Sequence, residues 1–278
     1  FIGTASALQQ CGYTPWFVDI NSETWQIDLE MLMSNPQLNQ VGVVVPVAPY
    51  GRPVPLVPWE QFQQATGIPV VIDGAAAIEG VMREPNKYFG RIPVALSFHA
   101  TKVFATGEGG ALLTSDHATS VNAARSLNFG FWGSRESQTP SINGKMSEYH
   151  AAVGLASLKK FDDYLLALHE VSNIYRKVFT SIGLAQHFYG YPLVASNYAL
   201  FKCESSNQAQ GVAAALLNTG VETRFWYGQG LHNQSVFREH EALDSMKNTE
   251  NVSLRLIGLP VAPDLCVEQI QYIASIIS

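Results

Sequence analysis

Cysteine is scarce. Cys11, Cys203 and Cys266 are too few and too scattered for a disulfide framework, and no two of them form a Cys-x-x-Cys metal pair. That usage fits a reducing cytoplasm. The seven histidines show neither His-x-x-x-His nor His-Glu-x-x-His spacing, so no structural or catalytic metal is expected. Charge is also sparse: 14% of residues are charged, the net charge is -6, and no basic run occurs, which argues against nucleic acid as the main partner. No apolar run reaches the roughly 18 residues of a membrane span, and the first residues lack the charged pattern of a signal peptide. There is no internal repeat and no low-complexity linker.

What is present is apolar. With 47% hydrophobic content over 278 residues, the chain can bury one substantial core and a smaller second one. Apolar strand patterns at 41–47, 70–72, 94–98 and 111–114 alternate with helical stretches such as 59–65, which predicts an α/β sheet. Asp116 is placed to cap a helix running towards Leu127. The segment 128–143 is polar, glycine-punctuated and long, and is expected to form an arm that crosses to a partner. From Ser147, with Glu148 in its first turn, helical spacing continues through Phe161, Leu165, Leu168, Val171, Tyr175 and Val178, which predicts one long helix. Beyond Gly183 the pattern changes to short strands near 198–203 and 221–226 around a helix at 209–217, a small α+β domain.

The stretch Ser97-Phe98-His99-Ala100-Thr101-Lys102, followed by Gly107-Glu108-Gly109-Gly110, carries the most chemistry. A lysine just after an apolar strand can form an imine with a carbonyl cofactor. A serine five residues earlier can hold a cofactor phosphate while the amine reaches the aldehyde. Alone, a lysine in such a loop is more often a solvated surface charge. The glycines lack the Gly-x-x-x-x-Gly-Lys-Ser/Thr frame of a phosphate cradle and read as a tight turn shaping the lysine loop. His99 either touches a cofactor ring or is fixed by backbone hydrogen bonds.

A second segment, residues 68–77, reads as a short buried strand ending in Asp73 and then small residues. In open α/β sheets that strand edge is where ligands bind, and a carboxylate there can pair with a protonated pyridine nitrogen, making the ring an electron sink. The alternative is that Asp73 caps the next helix. Asp73 and Lys102 together favour a pyridoxal phosphate site.

These segments resemble the DegT/StrS family of pyridoxal-phosphate-dependent nucleotide-sugar aminotransferases along nearly the whole chain. Phe1-Ile2-Gly3-Thr4 is similar to the family's aromatic-x-x-Thr segment. Then follow, in order, Gly12-Tyr13-Thr14-Pro15, Pro49-Tyr50-Gly51, the Asp73 strand, the Lys102 loop, Asn143-Gly144-Lys145, the segment 224–232 and Leu259-Pro260. The resemblance implies the fold type I architecture: a mostly parallel central sheet flanked by helices in a large cofactor-binding domain, residues 1–165, and a smaller α+β domain, residues 166–278.

It also implies roles. Lys102 would be the Schiff-base lysine, Asp73 the pyridinium partner, Ser97 a phosphate ligand and Phe1 the aromatic stacked on the ring. Asn143 would reach the phosphate of the neighbouring subunit, which makes the enzyme a homodimer with shared active sites. Lys145, Arg224 and His232 would face the substrate. The implied reaction moves an amino group from L-glutamate, through pyridoxamine phosphate, to a nucleotide-linked keto sugar destined for a polysaccharide or glycosylated metabolite.

Three features depart from the family pattern. Ala76 stands where many members place Gln or His beside the cofactor's ring hydroxyl, Lys145 replaces the usual Arg, and the sequence opens at Phe1 inside a recognised segment. The expectation is that a phosphate-holding turn of the relatives precedes this point. An alternative consistent with those departures is an impaired or inactive homologue that persists as a cofactor-binding or interaction dimer.

Overall fold

A computed structural model describes residues 1–240, 242 and 245–278. The first half of the chain runs through helices α1 (Ile2–Gln10), α2 (Leu29–Met33) and α3 (Leu56–Thr66), strand β1 (Ile72–Asp73), helices α4 (Ile78–Arg83) and α5 (Pro85–Tyr88), strands β2 (Val94–Ser97) and β3 (Gly110–Leu113), and helix α6 (His117–Ser126). Next come α7 (Glu148–Leu158), α8 (Phe161–Ser181), β4 (Phe188–Tyr189), β5 (Ala199–Lys202), α9 (Ser206–Asn218), α10 (Lys247–Ser253), β6 (Leu256–Leu259) and α11 (Val267–Ile277). Among the described residues, no helix is long and apolar enough to cross a membrane.

Two compact units result: Val41–Asp162, and a discontinuous unit of Phe1–Gln40 with Asp163–Ser278. Residues 1–40, expected with the large domain, therefore group with the C-terminal segment. The tie is physical. Ala5, Phe17, Phe237 and Met246 form one buried cluster, and the buried Asp19 carboxylate accepts the Asn248 and Thr249 N–H groups at the start of α10.

In the unit Val41–Asp162, β1 pairs in parallel with β2, and β2 pairs antiparallel with β3. On the other side of β1, the segment 44–48 runs parallel to it, with Val44 opposite Val70 and Val47 opposite Asp73. The sheet is thus parallel except at its β3 edge. Ile72, Val94 and Leu96 are buried, and β2 alternates buried and half-buried positions, as a strand with one apolar face should. Gly74 sits where β1 passes β2: a Cβ there would lie 2.7 Å from Val94 Cγ1. Helix α3 ends on Gly67 in the left-handed conformation. Asp116 and Ser147 cap α6 and α7 through the Thr119 and His150 N–H groups.

The helix expected to run from Ser147 through Val178 is two helices. No proline or glycine marks the break, which falls at Lys159-Lys160 with Lys160 N–H donating to Ser157 O at 3.1 Å. Packing imposes it: Phe161 is buried with its ring edge-on to Phe104, centroids 5.3 Å apart.

In the other unit, β4, β5 and β6 form an antiparallel sheet. Tyr175 and Phe179 of α8 pack with Phe188 and Phe201 in a core completed by α9 and α11. The strand expected at 221–226 reduces to a single bridge, Arg224 opposite Gly258.

Candidate active site

Asp73 and Ser97 end two adjacent parallel strands on the same edge. The register is direct: Asp73 lies opposite Ala95, Gly74 N–H donates to Ala95 O at 2.9 Å, and Ser97 N–H donates to Ala75 O at 3.3 Å. This carboxyl edge of the parallel strands is the position from which α/β sheets present ligand-binding groups.

Lys102 follows in the loop that joins β2 to β3. Phe98 N–H donates to Gly109 O and Ala100 N–H to Gly107 O, both at 2.8 Å, and Lys102 N–H closes the inner turn on His99 O at 2.9 Å. Buried Val103 and Phe104 anchor the far side of that turn, with Phe104 edge-on to Phe98 at 5.1 Å. The glycine run is the tight turn its composition predicts, with Gly107 at φ 89° and Gly109 at φ 138°.

The amine of Lys102 is half-buried. Loss of water pushes its pKa below the ordinary 10.5, while the negative Asp73 carboxylate acts in the opposite sense. The two groups are therefore electrostatic neighbours. The capping alternative for Asp73 is not realised: its Oδ1 accepts the Ala75 N–H at 3.0 Å in the turn ahead of α4, whose N-cap is Ala77 and takes no side-chain bond. Ala76 is buried in the turn after Asp73 and brings only a methyl group. Ser97 Oγ accepts the His99 N–H at 3.2 Å. His99 is fixed locally: Nδ1 lies 2.9 Å from Thr101 Oγ1, and Nε2 lies 3.6 Å from Glu108 Oε1.

Asn143 and Lys145 stand at the root of the 128–143 arm. Asn128 and Asn143 pair there as an antiparallel bridge, and Ile142 N–H donates to Ser126 O at 2.9 Å. Lys145 Nζ donates to Asn143 Oδ1 at 2.8 Å and lies 4.2 Å from the centroid of the Phe129 ring. The other three expected residues belong to the second unit. Phe1 precedes α1 and is exposed, Arg224 pairs with Glu222 at 3.0 Å, and His232 Nε2 lies 3.1 Å from Glu250 Oε1.

One residue of this region escaped the sequence reading. Thr106 is buried at 2% exposure, and its hydroxyl donates to Glu108 O at 2.7 Å. The available signal was a hydroxyl residue directly before a glycine turn.

This sheet, with a lysine hairpin beside a strand-end carboxylate, is the fold type I arrangement of pyridoxal-phosphate-dependent aminotransferases. A provisionally assigned member of that class from Bacillus cereus ATCC 10987 superposes with a TM-score of 0.88 at 28% identity, covering 100% of this chain and 76% of the other. The structure of DesI with its TDP-sugar product superposes at 0.84 with 25% identity, covering 99% of this chain and 71% of DesI. The chain belongs to the DegT/DnrJ/EryC1/StrS aminotransferase family, whose sequence profile matches residues 1–278.

Among curated relatives, Protein Rv3402c of Mycobacterium tuberculosis is 31% identical over 276 residues, 95% of this chain. The chain spans 66% of that protein's length. The dTDP-4-amino-4,6-dideoxy-D-glucose transaminase of Shigella dysenteriae is 29% identical over 100% of this chain and 76% of its own length.

Proposed function

We propose that this chain forms the catalytic part of a pyridoxal-phosphate-dependent aminotransferase that moves an amino group from L-glutamate to a nucleotide-linked keto sugar. The observation that carries the reading is the half-buried Lys102 amine, held in a hairpin at the strand edge within the field of Asp73. The donor set fits the cofactor: an amine for the aldehyde, a carboxylate for the pyridine nitrogen and a hydroxyl for the phosphate. When bound, the cofactor would supply the electron sink that lets a carbon next to nitrogen lose a proton.

Lys102 has two tasks in this scheme. Its lowered pKa raises the fraction of free amine near neutral pH, which makes Nζ a better nucleophile towards the aldehyde. Released from the aldehyde, the same amine takes a proton from one carbon and delivers it to another. Asp73 would pair with the cofactor's ring nitrogen and hold a proton there. Among the described residues Ser97 Oγ accepts the His99 N–H, and its own hydrogen would be available to a phosphate oxygen. Ala76 leaves the ring hydroxyl without a protein partner at that position. Lys145 contributes a point charge in place of a planar fork.

The partner in this reading is a second copy of the chain, with Asn143 reaching the neighbouring phosphate. Support comes from α7, which is apolar but exposes Tyr149, Leu155 and Leu158, and from Trp132 and Ile142 on the arm, which are also exposed.

The test is to incubate the protein with pyridoxal phosphate, reduce with borohydride and map the modified peptide, then assay amino transfer from glutamate to nucleotide-linked keto sugars. An adduct on Lys102 with transfer supports the proposal. A folded protein without an adduct at Lys102 removes it and leaves the inactive-homologue alternative standing.

A further inference from the structure

The Lys102 hairpin has an unusual weakness: the strand it returns to is entered through Gly107-Glu108-Gly109, in which both glycines have positive φ and Glu108 is exposed. Nothing in that tripeptide's composition restricts it, because glycine reaches left-handed and extended conformations at similar cost. The restriction comes from its neighbours: Ala100 N–H donates to Gly107 O, Phe98 N–H donates to Gly109 O, and Thr106 holds the carbonyl between them. Thr106 is buried, and its hydroxyl donates to Glu108 O at 2.7 Å, spanning the first glycine. Its own N–H donates to Phe98 O, and Phe98 N–H donates to Gly109 O, each at 2.8 Å.

Phe98, Thr106 and Gly109 thereby close a ring of hydrogen bonds at the neck of the loop, and the loop that leaves this neck, 99–105, carries Lys102. The outer surface of the neck is also fixed. A Cβ on Gly154 of α7 would lie 2.9 Å from Thr106 Cγ2, and Ser157 Oγ donates to Ala105 O at 3.2 Å.

We propose that Thr106 is a positioning residue for Lys102, whose hydroxyl, by holding the glycine turn shut, keeps the Lys102 amine sheltered from water. The proposal rests on Lys102 being the cofactor lysine for its functional meaning, although its test does not use the cofactor. With the hydroxyl gone, the Glu108 carbonyl loses one local partner while the backbone bonds of the neck remain, so the expected loss is of loop definition and not of the fold. A looser neck admits water to Lys102, and a hydrated ammonium titrates nearer its ordinary value of 10.5.

The experiment is competitive acetylation of the cofactor-free protein with acetic anhydride across a pH series, read lysine by lysine by peptide mass, in the unaltered chain, Thr106→Val and Thr106→Ser. Valine keeps the methyl that meets Gly154 and loses the hydroxyl; serine does the reverse. The expected result is a Lys102 midpoint raised in Thr106→Val, unchanged in Thr106→Ser, with Lys159, Lys160 and Lys177 unaffected in both. A folded Thr106→Val protein with an unaltered Lys102 midpoint overturns the proposal. If the valine variant does not fold, serine decides alone: a raised Lys102 midpoint there assigns the effect to methyl packing and overturns the role of the hydroxyl. A failure to bind pyridoxal phosphate would count against the aminotransferase reading while leaving these midpoints intact.

Discussion

Asp19 and Thr249, 230 residues apart in sequence, are joined twice: Asp19 Oδ1 accepts both the backbone N–H and the hydroxyl of Thr249, each at 2.7 Å. Asp19 Oδ2 takes the Asn248 N–H at 2.8 Å, so one carboxylate caps α10 from a distant part of the chain. Burial pushes this carboxyl's pKa up, but the bonds from Thr249, Asn248 and Ile20 outweigh it, and the net shift is below the ordinary 3.8.

Asp19→Ala is expected to destabilise the protein by about 1–2 kcal/mol, the cost of a lost helix cap, measured by urea denaturation. The pH dependence follows from the sign of the shift. Because the folded pKa lies below the unfolded 3.8, the stabilisation is complete above 3.8 and is lost as pH falls through the folded value. The gap between the wild type and Asp19→Ala should therefore narrow below pH 3.8. A gap that stays constant down to complete protonation would contradict the assignment.

Lys102→Ala should abolish the borohydride-fixed adduct and amino transfer together, with no loss of thermal stability, since it removes a cation that is poorly solvated in the fold. An adduct that persists on another lysine would show that the cofactor binds elsewhere.

Asp73→Asn removes the negative field that favours the Lys102 ammonium, so the Lys102 pKa should fall further. On the proposed reading, in which Asp73 would pair with the ring nitrogen, the same variant should lose amino transfer by orders of magnitude. Lysine-resolved acetylation and a transfer assay read the two effects separately. A Lys102 midpoint that rises would reverse the sign and refute the coupling.

Gly109→Ala places a Cβ 2.4 Å from Met146 Cε and 3.1 Å from Thr106 Oγ1, on a backbone with φ 138°. The flexible Met146 end can move, but the backbone strain cannot be relieved that way, so a loss of about 1–3 kcal/mol is expected in thermal or urea unfolding. Gly12→Ala, with positive φ but open space around it, should cost less.

Asn143→Ala should weaken cofactor retention while leaving the Lys102 adduct possible at saturating pyridoxal phosphate. Equilibrium dialysis of the two proteins compares them, and equal retention would remove Asn143 from the phosphate site.

Much of the site's frame was readable because it is written locally. Asp116 and Ser147 announce their helices by side-chain capping, and the 94–98 strand by its apolar run, so the position of Lys102 just beyond a strand followed directly. A strand pattern was legible at 41–47, but its neighbour was not, and the structure reduces it to the bridges Val44–Val70 and Val47–Asp73. What could not be read depends on partners distant in sequence. The break after Leu158 carries no glycine or proline and arises from Phe161 meeting Phe104. The membership of residues 1–40 in the second unit is decided by Asp19 and Phe17 finding partners beyond residue 236. Thr106 offers in sequence only a hydroxyl ahead of a glycine turn, and its burial and its bond to Glu108 are what distinguish it.

The discontinuous unit also orders events during synthesis. A ribosome completes Val41–Asp162 before it has made Thr249, so the middle unit can fold before Asp19 meets Asn248 and Thr249. Phe17 and Asp19 must wait for the contacts described above until the segment from Phe237 to Thr249 emerges. Translation speed through that late segment sets how long the leading residues remain open to chaperones and proteases.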